Sequence, residues 1–477
     1  MTTLSKDIVN ELLGYASLSD MEANHLSFKG MPIAHNLKFP IDEIIAGVQS
    51  TCGLLVSEIW RLKSGEEQKV TIDMFHSYLS FSGIFFVRQN GYDVPPWDPK
   101  YPTLGLYKTR DEKHIFINGG YPTLRDKILR VLGTPNEQDL IAAAMLKRDA
   151  FELEEAFAEA ATCGAVVREK NEWLTHPQGM ALNRKPPLVI NKLIDTEPEK
   201  LPKSTRPLEG LKVVDFTQAI AAPACGRYMA EYGADVLHIT APHMPSIPAF
   251  SMDTGHGKRQ AFADLKRPED LAQLKKLLSE ADVFIEGWRP NVMAKYGLTP
   301  EEVQKIRPGI IHVTLSCYGT EGPWKDRAGW EQLGQAVSGI IDSNAYNIPV
   351  GDTTVKVLSE TISTHGLFIC DYLSGNLATI GVLSALLKRH HHGGGYHIHI
   401  ALTRSGMWAI SKPATTHNER RLLKLPLERH EYEEYLAHST GPYGTVEYLA
   451  PAIRLSKTPP MLNLPISPNG SSRLEWI

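Results

Sequence analysis

From Leu208 onward the chain alternates between short apolar runs and longer amphipathic stretches. LKVVDF is a run of strand type, TQAIAAPACGRYMAEYG a helical stretch and ADVLHIT another strand. The alternation continues through RQAFADL, EDLAQLKKLLSEA, DVFIEGW, PEEVQKIRPG and IIHVTLSCYG. Strands separated by helix-length segments pair in parallel beneath covering helices, which predicts an α/β domain over residues 207–340, built on a doubly wound parallel sheet. Such a sheet binds its ligand at the carboxyl ends of its strands. Upstream, LGLYKTRDEKHIFINGG (104–120) reads as two strands joined by a charged turn, with helices at TLRDKILRVLG and DAFELEEAFAEAA, so a smaller α+β unit is expected there. PKSTRP at 202–207 is a Pro-punctuated boundary, and the Pro-rich tail YGTVEYLAPAIRLSKTPPMLNLPISPNG is expected to wrap, extended, over an existing surface.

The pattern also repeats. EIIAGVQSTCGLLVSEIWRLKSGEEQKVTIDMFHS (43–77) aligns without a gap on DYLSGNLATIGVLSALLKRHHHGGGYHIHIALTRS (371–405), pairing Gly47 with Gly375, Gly53 with Gly381, Arg61 with Arg389 and Gly65 with Gly393. The same helix-turn-strand element is therefore predicted twice. The repeat also bears on the histidine-rich stretch at 390–399. In the first copy Lys69 and Thr71 stand where His397 and His399 stand, yet the glycine turn survives. His397 and His399 alternate onto one strand face as a ligand pair does, but no acidic or cysteine partner sits at ligand spacing, so no metal is expected. The glycines read as an αL helix ending, with cations in the last turn favoured by the helix dipole.

Composition narrows the classes. A chain of 477 residues, 42% hydrophobic, has core enough for two or three domains. With a net charge of -4 there is no basic excess calling for nucleic acid or an anionic membrane surface. Five widely spaced cysteines without a CxxC pair read as reduced, buried thiols. The N-terminus carries Asp7 and Glu11 and has no apolar signal region, and no run of eighteen apolar residues occurs, so a soluble, cytoplasmic protein is expected. No GxGxxG follows the first strand, and no P-loop, GxSxG or HExxH is present.

Each copy of the repeated helix opens on a carboxylate: Asp371 in the second, Glu43 beside Asp42 in the first. As a bare N-cap such a residue needs no further explanation. At a positive helix end, with Ser374 and Gly375 offering an oxyanion site, the same carboxylate also suits a nucleophile.

LEGLKVVDFTQAIAAPACGRYMAEYGADVLHI, ADVFIEGWRPNVMAKYGLTPEEVQKIRPGIIHVTLSCYGTEGPWKDRAGWEQLGQAVSGI and DYLSGNLATIGVLSALLKR together resemble the class III CoA-transferases, the family of formyl-CoA transferase, carnitine CoA-transferase and alpha-methylacyl-CoA racemase. The likeness spans most of residues 207–405. YPTLGLYKTRDEKHIFINGG looks like the family's small domain, here ahead of the large one, and the tail looks like its return segment. The domains implied are a first linker element (1–90), a small α+β domain with return linker (91–205), a large CoA-binding domain (206–345), the second element (346–410) and an extended return segment (411–477). The resemblance implies Asp371 as the nucleophile that forms an aspartyl anhydride and then an aspartyl-CoA thioester. It implies CoA held by Gln218, Ala219, Ile220, Lys258, Arg259, Trp288, Arg289 and Lys295, with an acyl-CoA and a small carboxylic acid as substrates, no metal, and an interlocked homodimer. Ile220 stands where formyl-CoA transferase has a glutamine, and Trp330 in RAGWEQ stands where the racemases have a histidine, which favours transfer over racemisation. A lyase or isomerase of the same family and a non-catalytic CoA-binding subunit are the alternatives. Glu43 reads as a relic, and His256, Tyr318 and Trp324 as candidates for the acyl pocket or for core.

Overall fold

The computed structural model describes residues 3–22, 24–35, 37–97, 101–350, 353–417 and 419–477. Its largest sheet has seven strands in the spatial order Lys258–Phe262, Asp235–Thr240, Lys212–Phe216, Val283–Glu286, Ile311–Ser316, Gly395–Ala401, Val189–Ile194. The first six are parallel and the seventh is antiparallel to its neighbour. Val213, Val214, Leu237, Ile239, Phe284, Ile285, Ile311 and Val313 are all fully buried, as near-continuous apolar strands are when helices cover the sheet. The fold is mixed α/β. Two of the seven strands lie outside the segment expected to form the sheet: one comes from the second repeat and one from the return linker.

The smaller unit is a three-stranded antiparallel sheet of Leu104–Lys108, His114–Asn118 and Gly164–Val166. Ile128, Ile141, Leu153 and Phe157, from three helices, close a separate apolar cluster over it.

The repeat is a structural one. The first-copy helix spans Ile41–Ser64 and the second-copy helix Ile369–His392, 24 residues each. Strands Val70–Asp73 and Gly395–Ala401 follow, then helices Met74–Leu79 and Leu402–Ile410. Each repeat strand has one parallel and one antiparallel neighbour: Leu26–Lys29 and Ile453–Leu455 in the first copy, Ile311–Ser316 and Val189–Ile194 in the second. The aligned glycines do the same work in both. A Cβ on Gly47 would lie 2.7 Å from Ile8 of helix Thr3–Tyr15, and one on Gly375 would lie 2.6 Å from the Ala221 carbonyl of helix Ala221–Glu231. The helix at the start of the chain therefore stands to the first copy as Ala221–Glu231 stands to the second. The two copies also touch, with Cys52 Sγ 3.7 Å from the Asn376 carbonyl.

The turns differ in one respect. Gly65 ends its helix in the αL conformation (φ 78°, ψ 4°), but Gly393, expected to do the same, has φ 64° and ψ -167°. Residues 196–197 of the return linker press against Gly393, so close that a Cβ would meet Thr196 O at 1.8 Å. His397 and His399 both hydrogen-bond Thr314 Oγ1, at 2.8 and 3.1 Å. The second-copy helix is also long and apolar enough to cross a bilayer, but its apolar window is wholly buried within the fold. The tail, read as an extended wrap, contains a hairpin of Leu436–Gly441 and Gly444–Leu449, and Trp476 Nε1 donates to Leu277 O. All five cysteines are free and buried.

Candidate active site

Asp371 is the third residue of its helix, so the alternative reading of it as a bare N-cap does not apply. The cap position is Phe368, which makes no side-chain cap bond. The helix start is satisfied from another element. Glu331, in helix Glu331–Ser338, accepts the Cys370 N–H at Oε1 (3.0 Å) and the Asp371 N–H at Oε2 (2.5 Å), and Gln335 Nε2 donates to Oε1 (2.5 Å). Backbone donors at a helix start demand such acceptors. With Glu331 in that role, the Asp371 carboxyl is left for other work. Burial and then the Glu331 charge push Asp371 well above the usual carboxylate range. Burial lifts Glu331 to about 7 against the opposing hydrogen bonds from Gln335 and from the Cys370 and Asp371 N–H groups. Two buried carboxyls this tightly linked titrate as a pair.

Asp371 lines a cavity of about 170 Å³ whose walls include Trp97, Phe250, Trp330 and Phe368. The smaller unit supplies Leu104, Asn118 and Gly120, so one chain brings both units to this carboxylate. Among the described residues of its wall there is no lysine, arginine or histidine. Asn118 is fixed to Gln332 (2.9 Å) and Tyr121 packs edge-on against Trp330.

Ile247 and Phe250 also line an adjoining groove with Thr217, Gln218, Ala219 and Thr240, at the carboxyl ends of strands Lys212–Phe216 and Asp235–Thr240. Gln218 donates to Thr240 Oγ1 (2.7 Å) and accepts from Tyr121 OH (3.1 Å). Ala219 has φ 64°, a left-handed conformation costly for a non-glycine residue and often found at functional loops. Ile220 is fully buried and is not part of the groove wall.

The remaining expected contacts divide. Arg289 and Lys295 are exposed just beyond strand Val283–Glu286, and Trp288 is half-buried with Nε1 on Phe216 O (2.9 Å). Lys258 and Arg259 were expected beside phosphates, but each is committed within the protein. Lys258 Nζ, 1% exposed, holds Asp215 (2.7 Å) and Pro223 O (2.6 Å), and Arg259 grips Asp235 with two nitrogens and Glu475 O with a third. A buried ammonium without its carboxylate is costly, which explains the pairing of Lys258 with Asp215. The expected oxyanion role of Ser374 and Gly375 is also replaced: Ser374 Oγ, fully buried, donates to Ser405 Oγ, and Gly375 lets two helices meet. His256 stacks on Tyr448, while Tyr318 and Trp324 pack edge-on against each other; all three are buried in the core.

Glu43, 1% exposed, is likewise the third residue of its helix. Its Oε2 accepts from Thr415 Oγ1 and pairs with His417 Nε2 at 3.0 Å. Glu331 was missed because RAGWEQ was read only for the histidine it lacks; an acid directly after an aromatic at a helix start was the available signal.

The profile of CoA-transferase family III matches residues 208–448. The chain belongs to that family. An acetyl-coenzyme A transferase from Hypoxylon pulicicidum is 31% identical over 73% of this chain and 60% of its own length. An acyl-CoA transferase from Gibberella moniliformis is 26% identical over 82% of this chain and 74% of that one. Among solved structures, a CAIB/BAIF family protein from Brucella suis is 26% identical over 51% of this chain and 65% of that one, with a TM-score of 0.37. The chain thus spans less than two thirds of the first of these relatives, and the first-copy element lies ahead of the matched segment.

Proposed function

We propose that this chain transfers CoA from an acyl-CoA thioester to a carboxylic acid, with Asp371 as nucleophile. The observation that carries the reading is a carboxyl relieved of helix capping by Glu331 and set in the wall of an apolar cavity beside a groove at the strand ends. In the proposed cycle the Asp371 carboxylate attacks the thioester carbonyl, the C–S bond breaks, and CoA thiolate leaves an acyl-aspartyl anhydride. The thiolate attacks the aspartyl carbonyl and frees the donor acid, giving aspartyl-CoA thioester. The acceptor carboxylate attacks that thioester, and the thiolate then takes the acceptor's acyl group, restoring Asp371. Attack needs the negative charge of the Asp371–Glu331 pair to reside on Asp371.

In this reading residues 206–345 form a doubly wound CoA-binding domain. The loop of Gln218, Ala219 and Ile220 borders the pantetheine, and Arg289 and Lys295, with Trp288, meet the nucleotide end. Aromatic walls without a described cation favour an acyl group that is apolar rather than one bearing a second carboxylate. The test is an exchange assay with a panel of acyl-CoAs and free acids, following new CoA esters by mass spectrometry. Exchange fastest between acids with apolar chains supports the reading; CoA binding without any exchange overturns it.

A further inference from the structure

The helix repeat sets a second cavity over the first-copy carboxylate, by a crosswise rule. Asp371, in the second copy, faces Pro96 and Trp97, which follow the first-copy element. Glu43, in the first copy, is covered by Thr415 and His417, which follow the second-copy element. The cavity over Glu43 measures about 390 Å³, larger than that at Asp371 and within the roughly 300–1,000 Å³ range of ligand pockets.

Its wall differs in chemistry from the first. Apolar surface comes from Leu37, Phe39, Pro40 and Ala414, while the polar groups are His35, Thr415, Thr416, His417 and Arg420; no acid lies among the described lining residues. The acids stand behind. Asp42 and Glu43, each 1% exposed, hold His35 Nε2 (3.2 Å) and His417 Nε2 (3.0 Å). Arg420 is braced by Ile33 O and Thr415 O. His35 is decisive. Its side chain is 3% exposed and lines the cavity, yet its Nδ1 is buried with no partner among the described residues. A buried ring nitrogen left unpaired is costly unless something fills the place.

We propose that this cavity is a second ligand site, taking a small monocarboxylate with an apolar body. The ligand carboxylate would accept from His35 Nδ1, with Arg420 adding positive charge, His417 a further polar contact, and the apolar body lying on Leu37 and Phe39. Glu43 takes no covalent part, because Thr415 and His417 separate it from the cavity. The site is independent of chemistry at Asp371.

The test is ¹⁹F NMR titration of the full chain with 5,5,5-trifluoropentanoate. Ala414→Trp, at an exposed position on the rim, is designed to fill the cavity while leaving each of its polar side chains in the sequence; Arg420→Gln removes a charge. The expected result is one fewer bound probe per chain in Ala414→Trp and at least about tenfold weaker binding at that site in Arg420→Gln, with CoA exchange retained in both. Equal probe binding by wild type and a folded Ala414→Trp overturns the proposal, whatever the exchange assay gives.

Discussion

At the scale of single residues, the arrangement at Asp371 rests on a division of labour with Glu331. One carboxylate satisfies the helix start; the other is left facing the cavity. The second does not come free of interaction, because Glu331 disfavours ionisation of its neighbour. In the proposed cycle ionised Asp371 is the attacking species, so exchange activity should rise with pH as the pair loses protons. Glu331→Gln removes the like charge while keeping a carbonyl for the helix N–H groups, and its rising limb should lie at lower pH than that of wild type. A pH profile of kcat/KM checks this; an unmoved limb would remove Glu331 from the account. The same residues show why the site was only partly legible. Asp371 is legible only through the family resemblance, because a carboxylate in front of Ser-Gly and an apolar helix reads by itself as a cap. Glu331 acts across 40 positions of sequence, and Lys258 meets Asp215 across 43, so their partners come only with the fold.

At the scale of elements, the repeated helix illustrates what an ungapped pattern can carry. Its ends, its strand and its two glycines were readable because each depends on near neighbours, and the structure starts and stops the two helices at aligned positions. What the pattern could not carry was the reason for the glycines. Gly375 was expected to serve an oxyanion, whereas it allows a neighbouring helix to approach, with Ala221 O and Ala224 Cβ 2.6 and 2.9 Å from where its own Cβ would stand. Gly375→Ala should therefore destabilise the fold by about 1–3 kcal/mol, read as a lower midpoint in urea unfolding. A neutral substitution would mean that the two helices are not held this closely. The Gly393 turn failed expectation for a related reason: the linker that bends it arrives from 196 residues earlier in the chain.

At the scale of the molecule, the order of segments has a consequence for assembly. A resemblance in which the small domain precedes the large one left it open whether one chain or two complete the site. In the structure Leu104, Asn118 and Gly120 of the smaller unit and Trp330, Phe368 and Asp371 line one cavity within one chain. Arg227 ties helix Ala221–Glu231 to the tail through Leu449 O and to Asp253, which in turn accepts from Tyr372 beside Asp371. Specific activity is accordingly predicted to stay constant on dilution through the concentration range in which any dimer dissociates, as followed by analytical ultracentrifugation. Activity lost in step with dissociation would show that a second copy contributes to the site.

The central claim is that Asp371 is acylated during transfer. Incubation with an acyl-CoA and quenching with hydroxylamine converts an activated carboxyl into a hydroxamate, which peptide mass mapping locates. The account predicts a hydroxamate at Asp371 in wild type, none in Asp371→Asn, exchange reduced by about a thousandfold or more in that variant, and an unmodified Glu43. Exchange that proceeds with Asp371 never modified would contradict it.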